Sequence, residues 1–418
     1  MKLALALCLL LLCTTEASAL EPSFAVVREI RFEGNDTTQP RTMLREMVIH
    51  VGDPADPRQI ERSRQAIQDL GLFHSVAVRE EILPDGVRLV FVVVEKFYLL
   101  PYPRLSGNVD GQYGYGGELE WNNIAGLNQG LRLLVKQSSP NREGYGKQLS
   151  YQGSYTAPFV FDSPYSVSVS ANHSRQPLVD PVTQLPYIER FTSWELDGSR
   201  TYSTGPASEG WTAGGGWLST HENRNGPGAA PPYGAANAVV GFVGYRDLHD
   251  LIYSEEGQDF NLRSEVALRG LASDYGYTFL NAAYDRYLPV GHVDYQTVQL
   301  TAQAGALYNG PAELSRFSLG GSGNLRSFPS YSFSGNAYYY LAALYQRPIG
   351  EPWLRGLIGV EGGNVSPQAN TALFRAMHMS LDIGVRLRVT WFVDFQFEAG
   401  WAFPLNGRGA GRFFGGRI

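Results

Sequence analysis

The chain has 418 residues, of which 44% are hydrophobic, 18% charged and 12% aromatic, with 47 Gly, 2 Cys and a net charge of −6. Only residues 3–13 approach the roughly 20-residue apolar run of a membrane-spanning helix, so a helical membrane bundle is excluded. The aromatic content is too high for a disordered chain, and the mild negative charge gives no support to a nucleic-acid partner.

Lys2, the apolar run after it and Ala17-Ser18-Ala19 read as a secretory signal peptide, residues 1–19. Cys8 and Cys13 leave with it, so the mature chain is expected to hold no disulfide, thiolate metal site or thiol nucleophile. Residues 24–97 then carry an α/β pattern. A strand is predicted over 26–33, with Ile30 and Phe32 on one face and Glu29, Arg31 and Glu33 on the other. Gly34-Asn35-Asp36 ends it. A helix is predicted over 40–49, with Met43, Leu44, Met47 and Val48 on one side. Asp56-Pro57 starts a second helix, Gln59 suits a capping box, and Gly71 ends it. Ile60, Ile67 and Leu70 form its apolar face. Strands over 76–82 and 87–95 follow, joined by Pro84-Asp85-Gly86, a strong hairpin signal. The predicted order is β-α-α-β-β.

From Pro103 onward the helical period gives way to alternation. Leu381, Ile383, Val385 and Leu387 alternate with Asp382, Gly384, Arg386 and Arg388. Phe395, Phe397, Ala399, Trp401 and Phe403 alternate with Gln396, Glu398, Gly400 and Ala402. Each strand thus has one apolar and one polar face. Strands of about 10 residues, the length that crosses a bilayer when tilted, favour a membrane barrel over a soluble sandwich. Aromatic residues near strand ends and charged positions on the opposite face favour it too. The reading is an all-β transmembrane barrel of about sixteen antiparallel strands over 103–418, preceded by the small α/β domain. The stretch 309–335 is the longest without strand pattern, and long loops of that kind are usually functional.

Catalytic signals are weak. The seven His show no His-Glu-x-x-His spacing, and Gly320-Gly321-Ser322-Gly323-Asn324 lacks the last glycine of a nucleophile elbow. No enzymatic activity, metal or cofactor is expected. Asp382, Asp394 and Glu398 are read as residues that wet a barrel lumen.

Two sets of motifs carry a resemblance. Ile30-Arg31-Phe32-Glu33-Gly34-Asn35, Leu70-Gly71-Leu72-Phe73 before Val76, and Val93-Val94-Glu95 resemble a POTRA domain. Leu325-Arg326-Ser327-Phe328 resembles the apolar-Arg-Gly-aromatic loop motif of the Omp85 superfamily, with Ser327 in place of Gly. Glu361-Gly362-Gly363 stands where that superfamily of BamA-like and TamA-like outer-membrane assembly factors has an Asp-containing strand motif. The resemblance implies that the loop folds into the lumen and that Arg326 pairs with Glu361, with Leu325, Phe328 and Gly363 around them. Leu344 stands where many relatives carry a second acid, so one acid partner is expected and a weaker lock.

The resemblance further implies assembly and insertion of outer-membrane proteins, with the POTRA domain in the periplasm of a Gram-negative cell. Unfolded client proteins and outer-membrane lipids would be the partners, with periplasmic chaperones or lipoproteins as further ones. The alternative is a secretion or passive transport pore of the two-partner type. Glycines crowd both ends of the barrel sequence: Gly107, Gly111, Gly114, Gly116 and Gly117 at one, Gly407, Gly409, Gly411, Gly415 and Gly416 at the other. Glycine weakens strand packing, so a seam that opens between first and last strands is expected there.

Overall fold

The computed structural model describes residues 24–107, 113–138, 148–179, 185–228, 234–311, 314, 316–321, 323–329, 332–393, 395–407 and 411–417. The signal-peptide reading and Gly111, Asp394 and Gly409 lie outside them.

The N-terminal domain holds strand β1 (Val27–Glu33), helix α1 (Pro40–Leu44), helix α2 (Pro57–Gln68), and strands β2 (Phe73–Leu83) and β3 (Gly86–Glu95). The sheet order is β1-β3-β2, with β1 parallel to the central β3 and β2 antiparallel to it. Asp56 caps α2 by accepting the Arg58 N–H at 2.9 Å, and Pro57 occupies the first turn, where its missing N–H costs nothing. Gly71 closes the helix region at φ +71. α1 spans only five residues rather than the predicted ten. Met43 and Met47 still reach the core beside Ile60, Ile67, Leu72, Phe73, Leu89 and Phe91, whereas Leu44 is exposed. The chain beyond α1 turns because Met47 and Ile49 must meet α2, not continue along one helical face.

Among the described residues, sixteen strands form the second sheet. In chain order they begin with β4 (Leu99–Gly107), β5 (Tyr113–Ile124), β6 (Gln129–Ser138), β7 (Gln148–Ala157) and β8 (Tyr165–Val179). Next come β9 (Pro186–Tyr202), β10 (Gly210–Asn225), β11 (Gly234–Asp250), β12 (Glu255–Ala267), β13 (Tyr277–Pro289) and β14 (Thr297–Tyr308). After a loop with its own hairpin, β15 (Phe317–Leu319) and β16 (Phe333–Gly335), the sheet resumes. Its last strands are β17 (Ala337–Ile349), β18 (Glu351–Ser366), β19 (His378–Arg388), β20 (Gln396–Pro404) and β21 (Gly411–Arg417). Each strand pairs antiparallel with its neighbours from β4 round to β21, with β14 pairing β17 across the loop.

The barrel begins at Leu99, ahead of the predicted 103, because the chain enters its first strand almost directly from β3. Strands β8 to β11 have 15 to 17 residues and outrun the length a bilayer needs. Along β9 exposed and half-buried positions alternate over the whole strand. Trp194, Leu196, Leu262, Leu300, Ile358, Ile383 and Trp401 are exposed, so the apolar side chains point outward to lipid. The opposite face encloses a lumen partly filled by the loop between β14 and β17. Leu319, Leu325 and Phe328 of that loop pack with Tyr277, Phe279, Leu307, Tyr338 and Tyr340 of the wall.

Candidate functional site in the lumen and at the seam

The lumenal loop closes into a tight turn at its tip. The Phe328 N–H donates to the Leu325 carbonyl at 2.9 Å, and Leu325 takes a left-handed φ of +42. That conformation is uncommon outside glycine and persists where its surroundings hold it. Here Leu325 is fully buried, and Phe328 meets Phe333 and His378 edge-on. Between the two anchors the turn projects Arg326 toward β18, β19 and β20.

Arg326 meets three carboxylates. Its backbone N–H donates to Glu361 Oε2 at 2.9 Å, its Nη1 lies 3.4 Å from Asp382 Oδ2, and its Nη2 donates to Glu398 Oε2 at 3.0 Å. The side-chain approach to Glu361, Nε to Oε1, is 3.8 Å. The expected Arg326–Glu361 fork is therefore corrected: Glu361 holds mainly the backbone of the turn. Asp382 and Glu398, read from sequence as acids that wet the lumen, take the guanidinium. Among the described residues the lock has three acids, not one. Tyr340 donates to Glu361 Oε1 at 2.8 Å and Ser380 to Asp382 Oδ1 at 2.7 Å, which fixes the acids that receive the arginine. Glu398 is shared with Arg386. Leu344 does face the lumen, where it is buried with Leu357, Ala402 and Phe413.

Gly363 has a steric role in this site. A Cβ there would stand 2.6 Å from the Tyr339 carbonyl oxygen and 2.9 Å from Leu319, so only glycine lets the loop strand β15 lie against β18. Phe413, on the last strand, is buried under the Arg326 guanidinium, 4.8 Å from ring centroid to Cζ. This cation–π contact ties the loop to the strand at the edge of the sheet. The sequence reading missed it; Phe413 lies within the alternating run that ends the barrel, but alternation alone does not say what a lumenal ring will meet.

The sheet ends at β4 and β21. The two strands lie side by side, and among the described residues no hydrogen-bonded ladder joins them. The seam glycines fall differently from expectation. Gly114 and Gly116 belong to β5, paired with Ser138 and Lys136 of β6, so they sit one strand in from the seam. A Cβ on Gly116 would stand 2.0 Å from the Val135 carbonyl oxygen, so this glycine serves close pairing. Gly415 and Gly416 do lie in the last strand, opposite Glu398 and Phe397. The first strand itself carries Pro101 and Pro103, opposite Leu119 and Gly117 of β5. Proline has no N–H, and prolines two residues apart remove successive donors from the same edge of a strand. The edge that carries the β5 ladder keeps its donors; the edge toward β21 loses two.

The N-terminal domain is seated on the short-turn end of the barrel. Glu46 is buried and accepts both the N–H and the hydroxyl of Ser208, each at 2.8 Å. Burial holds its carboxyl above the usual range, against the pull of the Ser208 hydrogen bonds and Arg45. Arg45 lies over the Phe159 ring at 3.8 Å. Asp69 accepts from the Asp250 N–H at 2.7 Å and meets His249 Nδ1 at 2.8 Å. Thr42 donates to the Gly126 carbonyl at 2.7 Å, and His74 stacks on Trp391 at 4.2 Å. These contacts reach the β5–β6, β7–β8, β9–β10, β11–β12 and β19–β20 turns at that end of the barrel.

Fold and site define a class: an α/β domain seated on an antiparallel transmembrane barrel that holds an arginine-tipped loop inside and ends in an unladdered seam. Residues 25–96 match the POTRA family model, described as a surface antigen variable number repeat. The outer membrane protein assembly factor BamA of Neorickettsia risticii (strain Illinois) is 25% identical over 179 residues, which are 42% of this chain and 22% of that relative's length. Three solved structures share the fold. CdiB from Escherichia coli aligns at a TM-score of 0.68 and 13% identity, over 94% of this chain and 77% of that one. CdiB from Acinetobacter baumannii aligns at 0.62 and 17%, over 95% and 74%. BamA from Haemophilus ducreyi lacking POTRA domains 1–3 aligns at 0.56 and 15%, over 94% and 84%. The N-terminal domain matches the POTRA model and the barrel shares the fold of these structures, while the chain spans about a fifth of the length of the curated relative it matches.

Proposed function

We propose that this chain is an outer-membrane assembly factor, a non-catalytic protein that helps client β-strands enter the membrane through its seam. The observation that carries the reading is the β4–β21 junction, which among the described residues is a strand pair without a ladder at the ends of a sheet whose other neighbouring strands are paired. An unpaired strand edge in lipid is a template for another strand. The likeness to an outer-membrane protein assembly factor supports the same role. In this reading the POTRA domain lies in the periplasm, where the free edge of β2 offers client segments a strand to pair with. Clients, outer-membrane lipids and periplasmic chaperones or lipoproteins are the proposed partners.

The second reading is a secretion or passive transport pore, which the likeness to CdiB favours. The packed loop in the lumen weighs against a pore open at rest. The test uses purified full-length chain in liposomes with an unfolded barrel client. Faster client insertion, abolished by a disulfide between cysteines placed on β4 and at Phe414, is the expected result. Ion conduction at rest with no gain in insertion rate would move the assignment to the pore.

A further inference from the structure

The outward wall of the barrel is not evenly filled. Across β13, β14, β17 and β18 one row of the ladder runs Tyr284, Ala302, Leu341, Gly362. The next row on the same face runs Arg286, Leu300, Ala343, Val360. Tyr284, Leu300, Leu341 and Val360 stand exposed toward lipid. Between them Ala302, Ala343 and Gly362 are small, and the wall sinks into a hollow of about 410 Å³. Sites for small ligands span roughly 300–1,000 Å³. The hollow reaches strand backbone, since Thr301 and Glu361 line it although their side chains bond on the lumenal face, to Asp285 and Tyr340. Met377 and Met379 close its far end, and a Cβ on Gly362 would meet the Met377 methyl at 2.6 Å. Methionine is unbranched and adapts to what packs on it.

The hollow climbs along the wall. Gly362 lies four residues short of Ser366, where β18 ends away from the POTRA domain. Arg286 stands at the opposite corner, directly across the ladder from Leu300 and two residues from Tyr284 on the same face. It lies three residues short of Pro289, where β13 turns on the POTRA side, about 10 Å along the strand. It is half-buried and makes no hydrogen bond or ion pair among the described residues. A cation on the lipid face is tolerated near the interface, where its head can reach polar groups. A phosphate supplies what the apolar wall lacks, because the guanidinium fork takes two of its oxygens.

We infer that the hollow seats one glycerophospholipid of the POTRA-side leaflet, its phosphate on Arg286 and an acyl chain along the hollow toward Met377. Apolar walls, a position facing the bilayer and a free guanidinium at headgroup depth together fit this occupant. The inference rests on the barrel spanning a bilayer and not on client insertion.

The test counts lipids on the full-length chain by native mass spectrometry from nonionic micelles, as palmitoyl-oleoyl phosphatidylglycerol is added. Saturable retention of one lipid per chain is expected. Diacylglycerol with the same chains should need about tenfold more for half-occupancy, the equivalent of one lost charged contact. Arg286→Gln and Ala343→Leu, both on the lipid face, should each weaken retention of the phospholipid by about the same factor. Arg200→Gln removes an outward arginine that sits over Tyr165 and Tyr202, away from the hollow, and should leave retention unchanged. Equal retention of diacylglycerol, or wild-type half-occupancy in Arg286→Gln and Ala343→Leu, overturns the site. Binding of inorganic phosphate alone with the lipid displaced makes the occupant a free anion and overturns the lipid. A doubled mass that Ala343→Leu returns to the single chain gives the hollow to a second copy instead. Should Ala343→Leu fail to fold, Arg286→Gln at the rim decides alone.

Discussion

Arg326 is the residue on which the lumen turns. Removing one partner of a buried ionic cluster costs about 3–5 kcal/mol, because the others lose their compensation. Arg326→Ala would leave Glu361, Asp382 and Glu398 facing one another, with Arg386 serving Glu398 alone. The variant is expected to unfold at a clearly lower temperature in micelles, followed by heat-modifiable migration on gels; an unchanged transition would remove the lock. Glu361→Gln should cost less, since an amide oxygen can still accept the Arg326 N–H, and Arg326→Lys should cost nearly as much as Ala, because one ammonium cannot reach the acids of three strands. The loop motif was legible in sequence because Leu325, Arg326 and Phe328 are contiguous. Asp382 and Glu398 were legible as lumenal by alternation, but not as ligands. Alternation gives a residue's face, while its neighbours depend on the register of β18, β19 and β20 around the wall.

At the scale of the strand, the seam rests on missing donors rather than on flexible glycine. Pro101→Val with Pro103→Val would return two N–H groups to the free edge of β4, each worth about 0.5–1.5 kcal/mol if it finds a carbonyl on β21. The double variant is expected to unfold later than wild type and, under the proposed function, to insert clients more slowly; a faster rate would count against the seam as their exit. A count of about sixteen strands was legible because apolar and polar residues alternate along most of them. Their ends were not: β8 to β11 continue past the bilayer in sequence that alternates just as well there. The seam was misplaced by one strand for a related reason. The stretch 99–103 is rich in proline, Leu99-Leu100-Pro101-Tyr102-Pro103, and reads as a linker unless an edge position is already known.

For the whole molecule, the POTRA seat is what the sequence could not show. Its contacts join residues more than a hundred positions apart, through Glu46 with Ser208 and Asp69 with His249. Both halves were legible separately by period and capping, but nothing local encodes which turn meets which helix. Asp69→Ala removes the acceptor of the Asp250 N–H and the His249 partner. It is expected to loosen the seat, read as faster hydrogen exchange in the turn around Ser208 with the barrel core unchanged. The seat also carries a proton linkage. Burial raises the Glu46 carboxyl in the docked structure, so docking is expected to take up a proton relative to a state in which water reaches that carboxyl. The stabilisation is full below the ordinary carboxylate pKa and is lost as pH rises through the raised value. Docked fraction, followed by a fluorescence pair across the seat, is expected to fall over that window, and Glu46→Gln to flatten the profile. A wild-type profile that rises with pH would show the Ser208 bonds outweighing burial.

Between β3, which ends at Glu95, and β4, which begins at Leu99, stand only Lys96, Phe97 and Tyr98. Three residues span at most about 10 Å, and these are not slack. Lys96 and Tyr98 are bonded back to the Leu72 carbonyl, and the Phe97 N–H donates to the Trp391 carbonyl at 2.8 Å. The POTRA domain is therefore a crank on a short shaft rather than a weight on a cord. Torque applied to it is delivered to the proline-bearing strand at the seam, so a load taken up outside the membrane is felt where the barrel is least closed.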